Sequence, residues 1–198
     1  MKNPPGARTC HVVFQVGAGA SEGRLAALKG RGVAGAYRYV RGAAAGTAKA
    51  DDAVEYGTTD AALAALELAP ADVWRTLAGL LHLGNVCFDG GDDADSSVGA
   101  ASAATLAAAE ELLGLRGLAR DLTIHEVQAG GGRLSLHESP LTAEQAAHSR
   151  DSLAKRVYLH LFDGLVRSLN ESLRPIGGDA GAGRTWIGCL DVFGFELI

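Results

Sequence analysis

No stretch of this 198-residue chain approaches the ~20 consecutive apolar residues that a membrane-spanning helix needs. The amino-terminal Met1-Lys2-Asn3-Pro4-Pro5-Gly6 has no apolar signal region. Charge is nearly balanced, with 18 Lys and Arg against 23 Asp and Glu and a net charge of -5. Nothing in that balance draws the chain toward nucleic acid or an acidic membrane. Cysteine is scarce. Cys10, Cys87 and Cys189 are odd in number and far apart, and each lies in an apolar stretch. They are therefore expected to be free, mostly buried thiols in a reducing compartment, not a disulfide framework or a metal site. His11, His82, His125, His137, His148 and His160 show no metal-type spacing. Together these absences point to a cytosolic protein with no membrane span and no nucleic-acid partner.

Apolar residues are plentiful at 47%, enough for a substantial core, and the 27 glycines and the alanine runs at 43–45 and 107–109 reflect compositional bias. His11–Val16 is short and apolar, and its periodicity leaves strand and buried helix equally open. Ser21 can cap a short helix to Leu28, which Gly30-Arg31-Gly32 would end. Residues 42–53 are predicted to be a loop, with Thr58 or Thr59 capping a helix that carries Leu63, Leu66 and Leu68. Pro70 suits a first helical turn. Val73, Trp74, Leu77, Leu80 and Leu81 then repeat at helical spacing, Gly84 stops the helix, and Val86-Cys87-Phe88 is a short strand. Asp89–Ala101 is predicted to be an exposed acidic loop. Leu106, Ala109, Leu112 and Leu113 share a face of the next helix, which ends at Gly114. Leu122–Val127 and Arg133–Leu136 flank a glycine-rich turn as a β-hairpin. Thr142-Ala143-Glu144-Gln145 is a capping box opening a helix to about Leu173. Leu153, Val157, Leu161, Leu165 and Leu169 form its stripe, with Phe162 and Val166 alongside, and Asp151 is placed to pair with Lys155 four residues on. Helix dominates, and there is neither an internal repeat nor a domain linker.

The last segment carries the most chemistry. The apolar run Trp186–Leu190 leads into Asp191-Val192-Phe193-Gly194-Phe195-Glu196. In α/β nucleotide-binding folds, ligands sit at the carboxyl ends of strands. There an Asp can hold a metal-bound water, and a Gly lets a backbone N–H approach phosphate. The same residues also fit a plain strand end with a glycine turn, or an acid–base carboxylate pair of a glycosidase.

Four ordered blocks resemble the myosin motor domain. Arg8–Val16 with Ala18-Gly19-Ala20 is similar to one family block. Leu80–Phe88 (Leu-Leu-His-Leu-Gly-Asn-Val-Cys-Phe) is similar to a second. Arg150-Asp151-Ser152-Leu153-Ala154-Lys155, with Tyr158, Leu161-Phe162, Leu165-Val166 and Leu169-Asn170, is similar to the family's long helix. Asp191–Glu196 resembles switch II. The fold this implies is mainly α with a few short strands, a slice of the P-loop NTPase-type α/β motor. Residues 8–185 would be the mostly helical upper half of the actin cleft, and residues 186–198 a central-sheet strand with switch II. The resemblance implies ATP and Mg²⁺ as cofactors, with actin filaments and the remainder of the motor as partners. It also implies a cytoplasmic place on the actin cytoskeleton within a myosin complex. Asp191 would hold a water on the Mg²⁺ and so touch the metal only through that water, the Gly194 N–H would bond the γ-phosphate, and Glu196 would pair with the switch I arginine and close the site around the lytic water.

The family's phosphate loop and switch I have no match in this sequence, and no Gly-x-x-x-x-Gly-Lys-Ser/Thr is present. The chain is thus expected to be an internal slice of a motor, most simply a truncated gene model, with a real short product as the other possibility. The alternative is a non-catalytic helical remnant or partner-binding module without ATPase activity. The hairpin tip at Gln128–Gly132 and the loop Asp89–Ala101 correspond to family actin contacts, although an acidic loop should repel actin's acidic surface. Residues 58–173 are expected to be the better-ordered part. The final strand is expected to be loosely held or to drive self-association through unpaired edges, and the long helix to show part of its apolar stripe to water.

Overall fold

A computed structural model describes residues 11–29, 37–40, 51–91, 95–129 and 135–173. The predicted stop at Gly30–Gly32, most of the 42–53 loop, the hairpin tip, Cys10, Cys189 and everything from residue 174 onward lie outside the described residues. What is described is mainly helical, with two small antiparallel sheets of two strands each.

The ambiguous first run is a helix, α1 (His11–Gly19). Its residues Val13, Phe14, Gln15 and Val16 are consecutive and all buried. A helix pairs its own backbone polar groups, so a short apolar run can be surrounded by neighbours without a partner strand. Gln15 is satisfied inside: its Nε2 donates to Glu55 Oε2 at 3.0 Å, and Thr59 Oγ1 donates to its Oε1 at 3.3 Å. Helix α2 (Glu22–Ala27) follows with Ser21 as its cap, whose hydroxyl accepts from the Arg24 N–H at 3.3 Å.

Helix α3 (Asp52–Ala65) starts well before the predicted threonine caps. Asp52 and Glu55 occupy its first turn, where acidic side chains meet the positive end of the helix dipole. Thr58 lies within the helix, and its hydroxyl donates back to the Val54 carbonyl at 3.1 Å. Helix α4 (Pro70–Gly84) begins at proline as predicted and is the central strut. Trp74, Leu77 and Ala78 enter one apolar cluster, Leu80 and Leu83 a second, and Leu81 a third. Gly79 lets α4 approach α5 (Ala103–Leu113): a Cβ there would sit 2.7 Å from Leu113. Gly114, at φ 68°, ends α5 in the left-handed conformation that glycine adopts without strain.

The strands are displaced from their predicted positions for identifiable reasons. Strand β1 is Phe88–Asp89 and pairs with β2 (Ser97–Val98), which lies inside the predicted loop. Val86 and Cys87 lie outside the strand: the Val86 carbonyl accepts from Arg150 and the Cys87 N–H donates to Ser102 Oγ at 2.9 Å, while the Cys87 carbonyl accepts from the Gly99 N–H at 2.9 Å. Cys87 itself is exposed, which corrects the expectation of a buried thiol. Leu122 and Thr123 belong to α6 (Leu118–Thr123), with Leu122 only 2% exposed. The hairpin therefore starts later, pairing β3 (Ile124–Ala129) with β4 (Ser135–Pro140).

Helix α7 (Ala143–Ser172) carries the predicted capping box in full. Thr142 Oγ1 accepts from the Gln145 N–H at 3.3 Å, and Gln145 Oε1 accepts from the Thr142 N–H at 2.9 Å. Leu153, Val157 and Leu161 pack on the core clusters. Past that point part of the stripe meets water, as expected: Phe162, Val166 and Leu169 are exposed, as are Leu173 and, one turn earlier, Tyr158 and Leu159. No helix among the described residues is long and apolar enough to cross a membrane.

Candidate functional site

Asp191, Gly194 and Glu196, the residues predicted to sense a γ-phosphate, lie outside the described residues. The structure instead shows how the three preceding blocks assemble. They meet at a pocket of about 560 Å³. Val13 of the first block, Leu80 and Leu81 of the second, and Asp151, Ala154, Lys155 and Tyr158 of the third line it, together with Tyr39.

The junction is fixed by one buried cation. Arg150 is 1% exposed, and its Nη1 donates to the Val86 carbonyl at 2.6 Å, joining α7 to the segment between α4 and β1. Its Nε donates to Asp151 Oδ1 at 2.8 Å, and Nη2 makes an ion-pair contact with the same oxygen at 2.7 Å. The Tyr39 hydroxyl donates to that oxygen too, at 2.7 Å. Asp151 therefore binds Arg150 and Tyr39 and is not engaged with Lys155, as its spacing had suggested. Burial first, and the bond to Asp151 second, hold the Tyr39 hydroxyl protonated well above the usual tyrosine range. Tyr39 and Arg150 were given no role on sequence grounds. The available signal was small residues, Ala146 and Ala154, one turn on either side of Arg150, which leave room for a buried guanidinium.

A second polar network sits at the far end of α4. Trp74, fully buried, donates from Nε1 to Asp60 Oδ1 at 2.7 Å, and Arg24 pairs with the same oxygen at 2.9 Å. The Trp74 bond, then the Arg24 contacts, hold the Asp60 carboxyl below its ordinary range. His82 is half-buried in the last turn of α4, edge-on to Tyr37 with ring centroids 5.8 Å apart, a packing role. His11, His125, His148 and His160 are exposed. No group of His, Cys, Asp and Glu able to hold a metal occurs among the described residues.

The two surface loops with a predicted partner role are tied together at their bases. The Ser96 N–H donates to the Leu141 carbonyl at 2.9 Å, and the Leu141 N–H donates to the Thr123 carbonyl at 2.8 Å. The end of the β1–β2 loop and the foot of the β3–β4 hairpin thus share one backbone relay. Above it, Arg120 Nη2 reaches Glu126 Oε1 at 3.0 Å and Glu138 Oε1 at 2.5 Å.

As a nucleotide site the donor set of this chain does not fit by itself. Asp191 and Glu196 offer carboxylates and Gly194 an N–H, but the sequence pattern that supplies a phosphate-binding lysine does not occur. Several phosphate charges facing two carboxylates need cations to offset them.

A family model described as myosin head (motor domain) matches residues 1–198. Among similar proteins, Myosin heavy chain IB of Acanthamoeba castellanii is 32% identical over 196 residues, covering 97% of this chain and 16% of that protein. Unconventional myosin-Ic of Rattus norvegicus is 34% identical over 200 residues, covering 97% of this chain and 19% of its own length. Myosin IE heavy chain of Dictyostelium discoideum is 31% identical over 202 residues, covering 97% and 20%. The chain spans a fifth or less of these relatives.

Proposed function

Because this chain belongs to the myosin head (motor domain) family, we propose that it is the upper-cleft segment of an actin-based, ATP-hydrolysing motor. The observation that carries the reading is the match to the whole chain, including the Asp191–Glu196 segment. In this reading Asp191, Gly194 and Glu196 form one wall of a P-loop NTPase-type nucleotide site, on a central-sheet strand at residues 186–198. ATP and Mg²⁺ supply the phosphoryl chemistry there. Phosphoryl transfer depends on positioning and charge stabilisation, so these residues act by placement: two carboxylates and one unobstructed N–H, held where phosphate leaves. The mostly helical body at 8–185 is the upper half of the actin cleft, and the β1–β2 loop and β3–β4 hairpin face the filament. The setting is the cytoplasmic actin cytoskeleton.

Two measurements on the chain itself bear on this. Steady-state phosphate release from ATP should not exceed a buffer blank, because neither the phosphate-loop lysine pattern nor a match to switch I occurs in its sequence. Release above the blank that Glu196→Ala abolishes would show the opposite, a complete site. Co-sedimentation with actin filaments at low ionic strength should retain part of the chain in the pellet. A chain that stays wholly in the supernatant favours the alternative, a non-catalytic helical remnant.

A further inference from the structure

The strands of the β3–β4 hairpin place Glu126 directly opposite Glu138. Like charges opposed on an antiparallel ladder destabilise it, so the pair needs a compensating group. That group comes from outside the hairpin. Arg120, on α6, puts a single nitrogen, Nη2, 3.0 Å from Glu126 Oε1 and 2.5 Å from Glu138 Oε1.

The platform beneath Arg120 is anchored. Leu118 and Leu122 on either side are buried in the core cluster that also holds Leu80 and Leu83. The Leu118 N–H donates to Glu110 Oε1 at 2.8 Å, and Thr123 Oγ1 donates to the Ala119 carbonyl at 2.8 Å. The hairpin, in contrast, leaves the body: His125, Glu126, Glu138 and Ser139 are exposed. Its foot is closed by the backbone bond from Leu141 to Thr123. Together with the Ser96 N–H bond to the Leu141 carbonyl, it fixes the base of the hairpin and leaves the strands beyond it free to bend. The Arg120 contacts lie to the side of that bond and reach both strands, so they set the angle at which the hairpin stands. They are side-chain hydrogen bonds that join the hairpin to the body.

We propose that Arg120 is a positioning residue for the hairpin: its guanidinium clamps Glu126 and Glu138 and thereby fixes the angle at which the hairpin strands stand toward a filament. The filament half of this rests on the functional reading above, whereas the clamp itself does not. Release of the clamp has two effects with one sign. The hairpin gains a swinging motion, and two uncompensated carboxylates then face an acidic filament surface, which slows and weakens encounter. All three groups are about half exposed, so the clamp is open to screening by salt.

The test compares the full chain with Arg120→Gln, Arg120→Lys and the double variant Arg120→Gln/Glu126→Gln. Amide exchange across 124–129 and 135–140 is read at low and high salt, and each protein is pelleted with actin filaments. In the unsubstituted chain, exchange should speed up several-fold as salt rises. In Arg120→Gln it should already be fast at low salt and respond little to more, while exchange in α4 and α5 stays unchanged. Arg120→Lys should restore much of the protection. The double variant restores the net charge of the Arg120–Glu126–Glu138 cluster but not the tether, so its exchange should remain fast and its pelleting weak. Exchange that is the same in Arg120→Gln as in the parent overturns the clamp. Full recovery in the double variant also overturns it, since net charge alone would then account for the effect. Exchange that follows the prediction, while no variant pellets with filaments, overturns the filament reading and leaves the clamp standing.

Discussion

Replacing Arg150 with methionine should destabilise the protein by about 2–3 kcal/mol. The guanidinium is 1% exposed, and a methionine of similar length keeps most of its packing. Three losses and one gain follow. The Val86 carbonyl, now bonded to Nη1 at 2.6 Å, is left unpaired in a buried place; such a group costs ~1–3 kcal/mol. Asp151 loses its cation, but its side chain is 33% exposed and water can reach it, so that part is small, ~0–1 kcal/mol. Tyr39 keeps a bond to Asp151 but loses the charge that orders the carboxylate. Against these stands the removed cost of burying a cation, which in some proteins makes an apolar replacement of an entire buried pair neutral or better. Here only one partner is removed, and the acceptor it leaves is backbone, so destabilisation wins. Urea unfolding, with a slope of ~2–3 kcal/mol per molar, should show a midpoint lower by about 1 M at unchanged slope. Adding Asp151→Asn should recover the carboxylate part and leave the Val86 part. A midpoint at or above that of the parent would refute the claim that the Val86 carbonyl depends on Arg150.

Gly84→Ala should also destabilise, by roughly 1–3 kcal/mol as overpacking does, because its Cβ would sit 2.5–2.9 Å from the Tyr39 ring, which its bond to Asp151 holds in place; an unchanged melting temperature counts against this. Tyr39 holds its proton in the folded state beyond the point where the unfolded chain loses it, near pH 10. Its contribution is therefore complete below about pH 10 and is lost as pH rises above that, so Tyr39→Phe should flatten the alkaline limb of a stability–pH profile; an identical limb in both proteins removes Tyr39 from the explanation. Cys87 is exposed and should react with a thiol reagent in the native state, mapped by mass spectrometry to that residue; protection until denaturant is added contradicts its placement.

Local signals located the elements that local chemistry governs. Pro70 opened α4, the Thr142–Gln145 box opened α7, and Gly114 closed α5, each where the sequence placed it. Signals that depend on distant partners were not legible. Val86 resembles a strand residue, but its carbonyl is claimed by Arg150, 64 positions away, and the ladder begins two residues later. Asp151 has an i+4 lysine, yet the phenol of Tyr39 and the adjacent Arg150 outcompete it from better-desolvated positions. Thr58 has the composition of a cap and spends its hydroxyl on the preceding turn, so α3 starts six residues before it, with its first two residues inside the predicted loop. The run His11–Val16 was undecidable because burial on most sides erases both periods. At the junction of the three blocks, the motif residues were legible, whereas the Arg150–Asp151–Tyr39 linkage that joins them was not, since no spacing rule relates residues 112 apart. Asp191, Gly194 and Glu196 rest on the motif alone and lie outside the described residues.

The central claim is that residues up to Glu196 belong to a working motor head, and a chimera tests it most directly. The segment of the Myosin IE heavy chain head that matches this chain is replaced by residues 8–198, and phosphate release from ATP is measured with and without actin filaments. The account predicts filament-stimulated release in the chimera and its loss on Glu196→Ala. A folded chimera that binds nucleotide and filaments yet releases phosphate at one unstimulated rate, with or without Glu196, would contradict it.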